Sequence, residues 1–378
     1  MLRAWHGRQR VANMSAADFL RDLIRIQALP GQEEMLRERV LQEWRQLGFE
    51  DVQADAGGNA LARIRGREPG PAWLLLTHLD HVHEGDPALW EHPPYEAVLV
   101  EGVIHGRGAV DIKGPLAAQT YALAALLAKG ERPRSDVWIV AAAEEEIGGP
   151  GAAYLVAHPP GEIGAVIVAE PSSNQLMLGH RGVARVRVQL QGRAHHASLA
   201  IKDENPIFAL AELLKRIEAL TFPDFPVTGA STLTVTQLFT DSGSENLTPN
   251  TVTAILDWRF NEDDASNRQT LAKLLEGLPA QGRLSALWTP EYTPGFVTEP
   301  GDPLTLKVLP YAARFHAEPG VWRFATDGRY TANAGWPTVG WGPGNEDLAH
   351  TTKESVKVAD IDAYSRALAE LLVSESPS

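Results

Sequence analysis

The sequence predicts an α/β fold with a mostly parallel central sheet, interrupted by an inserted α+β domain of ferredoxin-like order. Three observations carry that prediction. Apolar runs at 73–76, 137–143 and 163–169 alternate with helical stretches, as parallel strands buried on both faces do. After Gly182 the strands alternate apolar and polar residues instead, the pattern of half-exposed antiparallel strands. Beyond about residue 293 the first style returns. These changes place a first domain in two segments, 1–181 and 293–378, around an insertion at 182–292. A chain of 378 residues is long enough for two cores.

Ser15 is a plausible N-cap for a helix over 16–27, where Phe19, Leu20, Leu23 and Ile24 fall at helical spacing. Pro30-Gly31 breaks the chain, and a second amphipathic helix spans 33–47 before Gly48. Strands are expected around Val52 and over 60–65, joined by a Gly57-Gly58-Asn59 turn. The organising strand follows, running through 73–76 into Thr77-His78-Leu79-Asp80. Gly102 marks a hairpin, and 115–129 is Ala- and Leu-rich, a buried helix opening on Pro115. The strand over 137–143 runs into Glu144-Glu-Glu146, a helix covers 152–157, and the strand over 163–169 ends in Glu170-Pro171.

In the insertion, strands at 183–190, 232–238, 252–260 and 284–288 and helices at 206–220 and 266–278 give a βαββαβ order, that of a split βαβ. A helix at 304–315, a strand at 337–341, a loop at 342–350 and a closing helix at 358–373 complete the first domain.

Composition narrows the function. The 44% hydrophobic and 22% charged content is that of a globular protein. A net charge of −14 speaks against nucleic acid or an anionic membrane as principal partner. No apolar stretch approaches the roughly 20 residues that span a bilayer. The N-terminal residues lack a signal-peptide apolar core, so a cytoplasmic location is expected. With no cysteine, a metal site must draw on His, Asp and Glu, which select hard or borderline divalent ions. Gly106-Arg-Gly108 lacks the rest of a dinucleotide fingerprint, and neither a phosphate-binding loop nor a serine-nucleophile elbow occurs. The ten tryptophans read as core and domain packing.

The chemistry gathers at strand ends. His78 and Asp80, at i and i+2, share a face at the end of an apolar strand, where α/β sheets bind ligands. A carboxylate beside a histidine accepts from one ring nitrogen and leaves the other for a metal; a strand-end histidine merely satisfied by its neighbour is the plainer reading. Asp111, the Glu144–Glu146 run, Glu170 and His350 likewise follow apolar segments or glycine-rich turns. Carboxylates brought together there repel one another unless cations lie between them. On spacing alone, a His/carboxylate metal centre stands against scattered acidic loop residues.

A series of motifs, in order, resembles one family nearly end to end. These are His78-Leu-Asp80, Gly106-Arg-Gly-Ala-Val-Asp111-Ile-Lys-Gly114, Glu144-Glu-Glu-Ile-Gly-Gly-Pro-Gly151, Glu170-Pro171, Gly192-Arg-Ala-His-His196-Ala-Ser198 and Asn246-Leu-Thr-Pro249. Asp257-Trp-Arg259, Thr326-Asp-Gly-Arg329, Gly342-Pro-Gly344 and His350-Thr351 complete it. The chain thereby resembles the M20 metallopeptidases, which include aminoacylase, acetylornithine deacetylase, succinyl-diaminopimelate desuccinylase and glutamate carboxypeptidase. The resemblance implies a di-zinc peptidase catalytic domain and a ferredoxin-like lid that often forms a homodimer. It also implies two divalent ions, zinc first, with cobalt or manganese as alternatives.

Carried over by motif, Asp111 is expected to bridge both metals, His78 and Glu170 to complete one site, and Glu146 and His350 the other. Asp80 is expected to hold His78. The family's acidic pair before x-Gly aligns with Glu145 and Glu146, which makes Glu145 the general base; a one-residue slip would put Glu144 in that role. The histidine four after the family's glycine is His196, the implied oxyanion donor, with His195 as its neighbouring alternative. Asn246, Arg259 and Arg329 are candidate substrate contacts, the arginines as bidentate carboxylate receptors or as structural ion pairs. His81 and His83 read as bystanders; His105, His180 and His316 carry no pattern. Thr77 stands where the family usually has glycine, and His81-Val-His83 replaces small or proline residues.

The implied activity is hydrolysis of the amide bond of an N-acyl amino acid in amino-acid metabolism. A metal-activated water would attack, with Glu145 taking and returning its proton. A metallo-carboxypeptidase or dipeptidase acting on a short peptide is the alternative. The Val110-to-Leu116 string also resembles the amino-group-carrier lysine and ornithine hydrolases. A catalytically silent binding protein is the reading from another class, and Glu145 with an intact ligand set speaks against it.

Overall fold

Ser15 opens the first helix, α1 (Ala16–Ile24), accepting from the Asp18 amide while the Asp18 carboxylate accepts from the Ser15 amide. The computed structural model describes residues 15–278, 285–288 and 293–377. Helix α1 stops short of the expected residue 27, and beyond its end the Ile26 carbonyl accepts from Lys113 Nζ at 2.8 Å. Helix α2 (Glu34–Gln46) ends ahead of Gly48, whose φ of +81° provides the left-handed exit. Strands β1 (Glu50–Ala54) and β2 (Ala60–Ile64) form an antiparallel hairpin whose turn is held by Asp55, accepting from the backbone and side-chain amides of Asn59.

Strand β3 (Ala72–His78) is buried at every position. A short hairpin, β4 (Val98–Val100) and β5 (Val103–His105), leads to α3 (Lys113–Ala128), which is apolar nearly all round and largely buried. Strand β6 (Val137–Ala142), helix α4 (Pro150–Ala157) and strand β7 (Ile163–Val168) continue the alternation. Strand β8 (Met177–His180) was not legible as a strand in the sequence.

The insertion contains β9 (Gly182–Gln191), α5 (Pro206–Glu218), β10 (Thr232–Thr240), β11 (Thr251–Phe260), α6 (Asp264–Leu275) and β12 (Ser285–Trp288). Residue 284, the expected start of its last strand, lies outside the described residues. The chain then returns through α7 (Pro303–Ala312), β13 (Gly320–Trp322), α8 (Gly328–Asn333), β14 (Thr338–Gly340), β15 (Ser355–Lys357) and α9 (Val358–Ser374).

The described residues fall into two units. The first holds those up to Gly179, with Thr298–Trp322 and everything from Thr326; the second holds His180–Val297 and Arg323–Ala325. In the first unit the sheet runs β1-β2-β6-β3-β7-β14-β8. Its centre, β6-β3-β7-β14, is parallel, while β2 and β8 join antiparallel. The sheet is therefore mixed, with antiparallel flanks about a parallel centre. A hairpin as short as the one joining β1 to β2 allows only antiparallel pairing. Phe19, Trp44, Trp73, Leu75, Trp341 and Tyr364 are fully buried in this core. The indole N–H of Trp44 donates to Thr120 Oγ1 at 3.0 Å and that of Trp341 to the Asn174 carbonyl at 2.9 Å.

The second unit has its own core, built from Val186, Val188, Leu190, Leu213, Leu256 and Trp258. Its sheet has the order β10-β11-β9-β12 with every pairing antiparallel. That is the strand order of the split βαβ fold. Strand β10 lies at its edge and is largely exposed.

Candidate metal centre

Four adjacent parallel strands deliver the site at their carboxyl ends, the usual place in open α/β sheets. His78 is the last residue of β3, Glu145 and Glu146 follow β6, Glu170 follows β7, and β14 leads on to His350. Asp111 precedes α3. His78 Nε2 lies 3.1 Å from Asp111 Oδ1 and 3.5 Å from Glu170 Oε1. His350 Nε2 lies 3.2 Å from Asp111 Oδ2 and 3.1 Å from Glu146 Oε1. The two oxygens of Asp111 thus face two different triads, His78–Asp111–Glu170 and Asp111–Glu146–His350. Within each triad the ligand atoms lie within 4.8 Å of one another.

Asp80 lies just past β3 and is fully buried. Its Oδ1 is 3.3 Å from His78 Nδ1 and accepts from the Glu145 amide at 3.0 Å, while Oδ2 accepts from the Glu146 amide at 3.0 Å. The residue expected to hold His78 therefore also holds the glutamate loop. Glu144 occupies a left-handed conformation, φ +58°, which turns the chain sharply between the strand and that loop. Its amide donates to Glu33 Oε1 at 3.2 Å. Of the three glutamates, Glu146 belongs to a triad, and Glu145 lies outside both with its Oε1 3.9 Å from Arg329 Nη1.

The electrostatics shows what the pocket demands. Burial pushes Glu170 and Glu145 well above the usual carboxylate range, with the Asp327 charge adding to Glu145. Glu146 is raised by burial and by Asp111. Burial would raise Asp111 too, but hydrogen bonds from His350 and His78 outweigh it and hold the carboxyl low. His350 is drawn up to about 10 by its hydrogen bonds to Asp111 and Glu146. For His78, burial is overcome by the Glu170 charge and the hydrogen bonds to Asp111 and Asp80, and its pKa rises well above normal. Positive charge is thus called for at two points among clustered carboxylates. Two nitrogen and three carboxylate ligands suit divalent ions there.

Two residues supporting the site were not singled out from the sequence. Glu354 is buried and accepts from the Val110 and Asp111 amides at 3.1 Å each, and from Arg107 at 2.5 Å, so it fixes the Asp111 turn. Asp327 is buried, neither of its oxygens has a hydrogen-bond partner, and burial raises it to about 6. A glutamate four residues past His350 and an aspartate two before Arg329 were the only signals available.

Arg329, read from the sequence as a substrate contact or a structural ion pair, is ion-paired. Only 4% exposed, it donates to the Thr326 carbonyl at 2.9 Å and faces Asp327 at 3.8 Å, besides Glu145. Its place is that of an internal ion pair beside Glu145. His81 is likewise internal, with Nε2 accepting from the Ala28 amide and Nδ1 donating to the Val82 carbonyl. His83 is exposed beside Glu84, and His105 meets His92 edge to face.

In the second unit, Arg259 pairs with Asp257 at 2.9 Å and donates to the Arg323 carbonyl at 3.2 Å. His195 Nε2 is taken by the Glu204 carboxylate. The neighbouring His196 is exposed, and its Nε2 lies 3.5 Å from the Asn246 amide nitrogen.

The first unit, with paired His/carboxylate triads at the ends of parallel strands, is that of a metal-dependent hydrolase. The model of Peptidase family M20/M25/M40 matches residues 74–374, and the chain belongs to that family. It is 29% identical over 357 residues to a protein named succinyl-diaminopimelate desuccinylase from Alkalilimnicola ehrlichii, covering 89% of this chain and 91% of that one. Among solved structures, a tripeptidase from Staphylococcus aureus superposes with a TM-score of 0.79 at 19% identity, over 97% of each chain. A dinuclear metal-binding M20 peptidase from Bacillus subtilis gives 0.71 at 18% identity, over 97% of this chain and 98% of that one.

Proposed function

We propose that the chain is a di-metal deacylase that cleaves the amide bond of an N-acyl amino acid beside its free carboxylate. The observation that carries this reading is the division of Asp111 between two triads, with Glu145 beside them and in neither. Zinc is the proposed metal, held by His78, Asp111 and Glu170 on one side and Asp111, Glu146 and His350 on the other. Bound there, two such ions supply Lewis acidity and a water ionisable near neutral pH. Asp80 orients His78 so that Nε2 is presented to the site. Glu145 accepts a proton from the attacking water and delivers it to the departing amine. Its raised pKa, from burial and Asp327, suits a group that must hold that proton between the two steps.

The inserted unit, 182–292, is proposed as a lid. From it His196 donates through Nε2 to the oxyanion, and Asn246 and Arg259 contact the substrate. A homodimer through this lid is proposed as well, with His196 serving the partner's site. The exposed edge strand β10, carrying Leu238 and Phe239 each about half exposed, supports that assembly. No helix among the described residues is long and apolar enough to cross a membrane, which fits a cytoplasmic setting.

The relative named as a desuccinylase favours an acyl amino acid over a peptide. The test chelates the protein, restores zinc, cobalt or manganese one at a time, and compares N-acetyl and N-succinyl amino acids with dipeptides. Turnover of the acylated series is expected to dominate. Faster dipeptide turnover would turn the reading to a dipeptidase, and no metal-dependent turnover of either would remove it.

A further inference from the structure

We propose that Ser198 is a positioning residue that fixes the tautomer of His196. The inference rests on His196 being the oxyanion donor. Two groups of Ser198 converge on one ring nitrogen: Oγ lies 2.8 Å from His196 Nδ1, and the Ser198 backbone N–H donates to the same atom at 3.3 Å. A backbone N–H can only donate, so it favours a lone pair on Nδ1. The proton of the neutral ring is then on Nε2. The Ser198 hydroxyl adds a second donor to Nδ1 and deepens that preference.

The backbone beneath the ring is pinned independently. The Ala197 amide donates to the Asn246 carbonyl at 2.8 Å, the Thr248 amide donates to the His195 carbonyl at 2.9 Å, and His196 bridges Leu247. The Asn246 amide nitrogen, 3.5 Å from Nε2, is a competing donor, but the two shorter contacts at Nδ1 outweigh it and leave the hydrogen on Nε2. The opposite tautomer would turn a lone pair toward a developing negative charge and repel it. His195 differs in its ring, whose Nε2 is already bound to Glu204.

The test uses full-length, zinc-loaded protein labelled with 15N and 13C in histidine, with the His196 signal assigned by its loss in His196→Gln. Wild type is expected to show the Nε2–H tautomer. Ser198→Ala should shift population toward Nδ1–H and lower kcat about three- to tenfold, the worth of one hydrogen bond, with KM within about twofold. Ser198→Thr, which keeps a hydroxyl, should restore both. An Nδ1–H ring in wild type overturns the inference. So does Ser198→Ala with tautomer and kcat both unchanged, where His196→Ala does lower kcat. Full activity in His196→Ala would instead overturn the donor role on which the inference depends, whichever tautomer the spectra show.

Discussion

At the scale of single residues, Glu145 and Asp80 separate chemistry from its support. Glu145→Gln keeps the shape of the base and removes its proton affinity. It should lower kcat by about 100- to 10,000-fold while leaving bound metal, read by elemental analysis, at the wild-type level. Asp80→Ala removes the acceptor for two loop amides and the carboxylate beside the His78 ring, leaving its Nδ1 only the Asp80 carbonyl at 3.0 Å. It should weaken metal binding about 10- to 100-fold, measured by competition with a chromophoric chelator. His350 sets a pH dependence. Its pKa is raised to about 10 in the chain without metal, so a proton must leave before a cation can bind. Apparent metal affinity should therefore climb as pH rises from 6 to 9, with protons released into the buffer on binding. The metal-free stability contributed by that histidine runs the other way. It is fully present below the ordinary value near 6.5 and is lost as pH rises through about 10.

At the scale of elements, the loop after β6 is held from both sides. Asp80 takes its amides, and the Tyr330 hydroxyl donates to the Gly148 carbonyl at 2.6 Å. Gly149 has φ +70°, and a Cβ there would lie 2.1 Å from Asp327 Oδ1. Gly149→Ala should destabilise by about 1–3 kcal/mol through backbone strain and crowding, seen as an earlier denaturant midpoint. Strands β3, β6 and β7 could be read from the sequence because parallel strands buried on both faces need unbroken apolar runs. Their ends could be read because a histidine or carboxylate interrupts the run. Strands β8, β13 and β15 could not, being three or four residues long and made by their partners: the Gly320 amide donates to the Leu176 carbonyl, and Ser355 pairs with His105. The candidate ligands were legible for the same reason as the strand ends. The support from Glu354 was not, since only the fold shows which amides it faces, and an arginine in a polar motif such as Arg329 gives no sign of its burial.

At the scale of the whole molecule, the proposed dimer gives two linked expectations. Phe239→Lys puts a charge on the outer strand of the second sheet and should shift mass by light scattering toward the monomer. If His196 serves the partner's site, mixing His196→Ala and Glu145→Ala chains should recover part of the activity that each lacks alone.

The single carboxylate of Asp80 grips both the His78 ring of one candidate triad and the peptide segment that carries Glu146 of the other. Filling either seat should therefore stiffen the second before it is occupied. The two ions would then load cooperatively, and a partly supplied preparation would hold more doubly filled and empty molecules than independent seats allow.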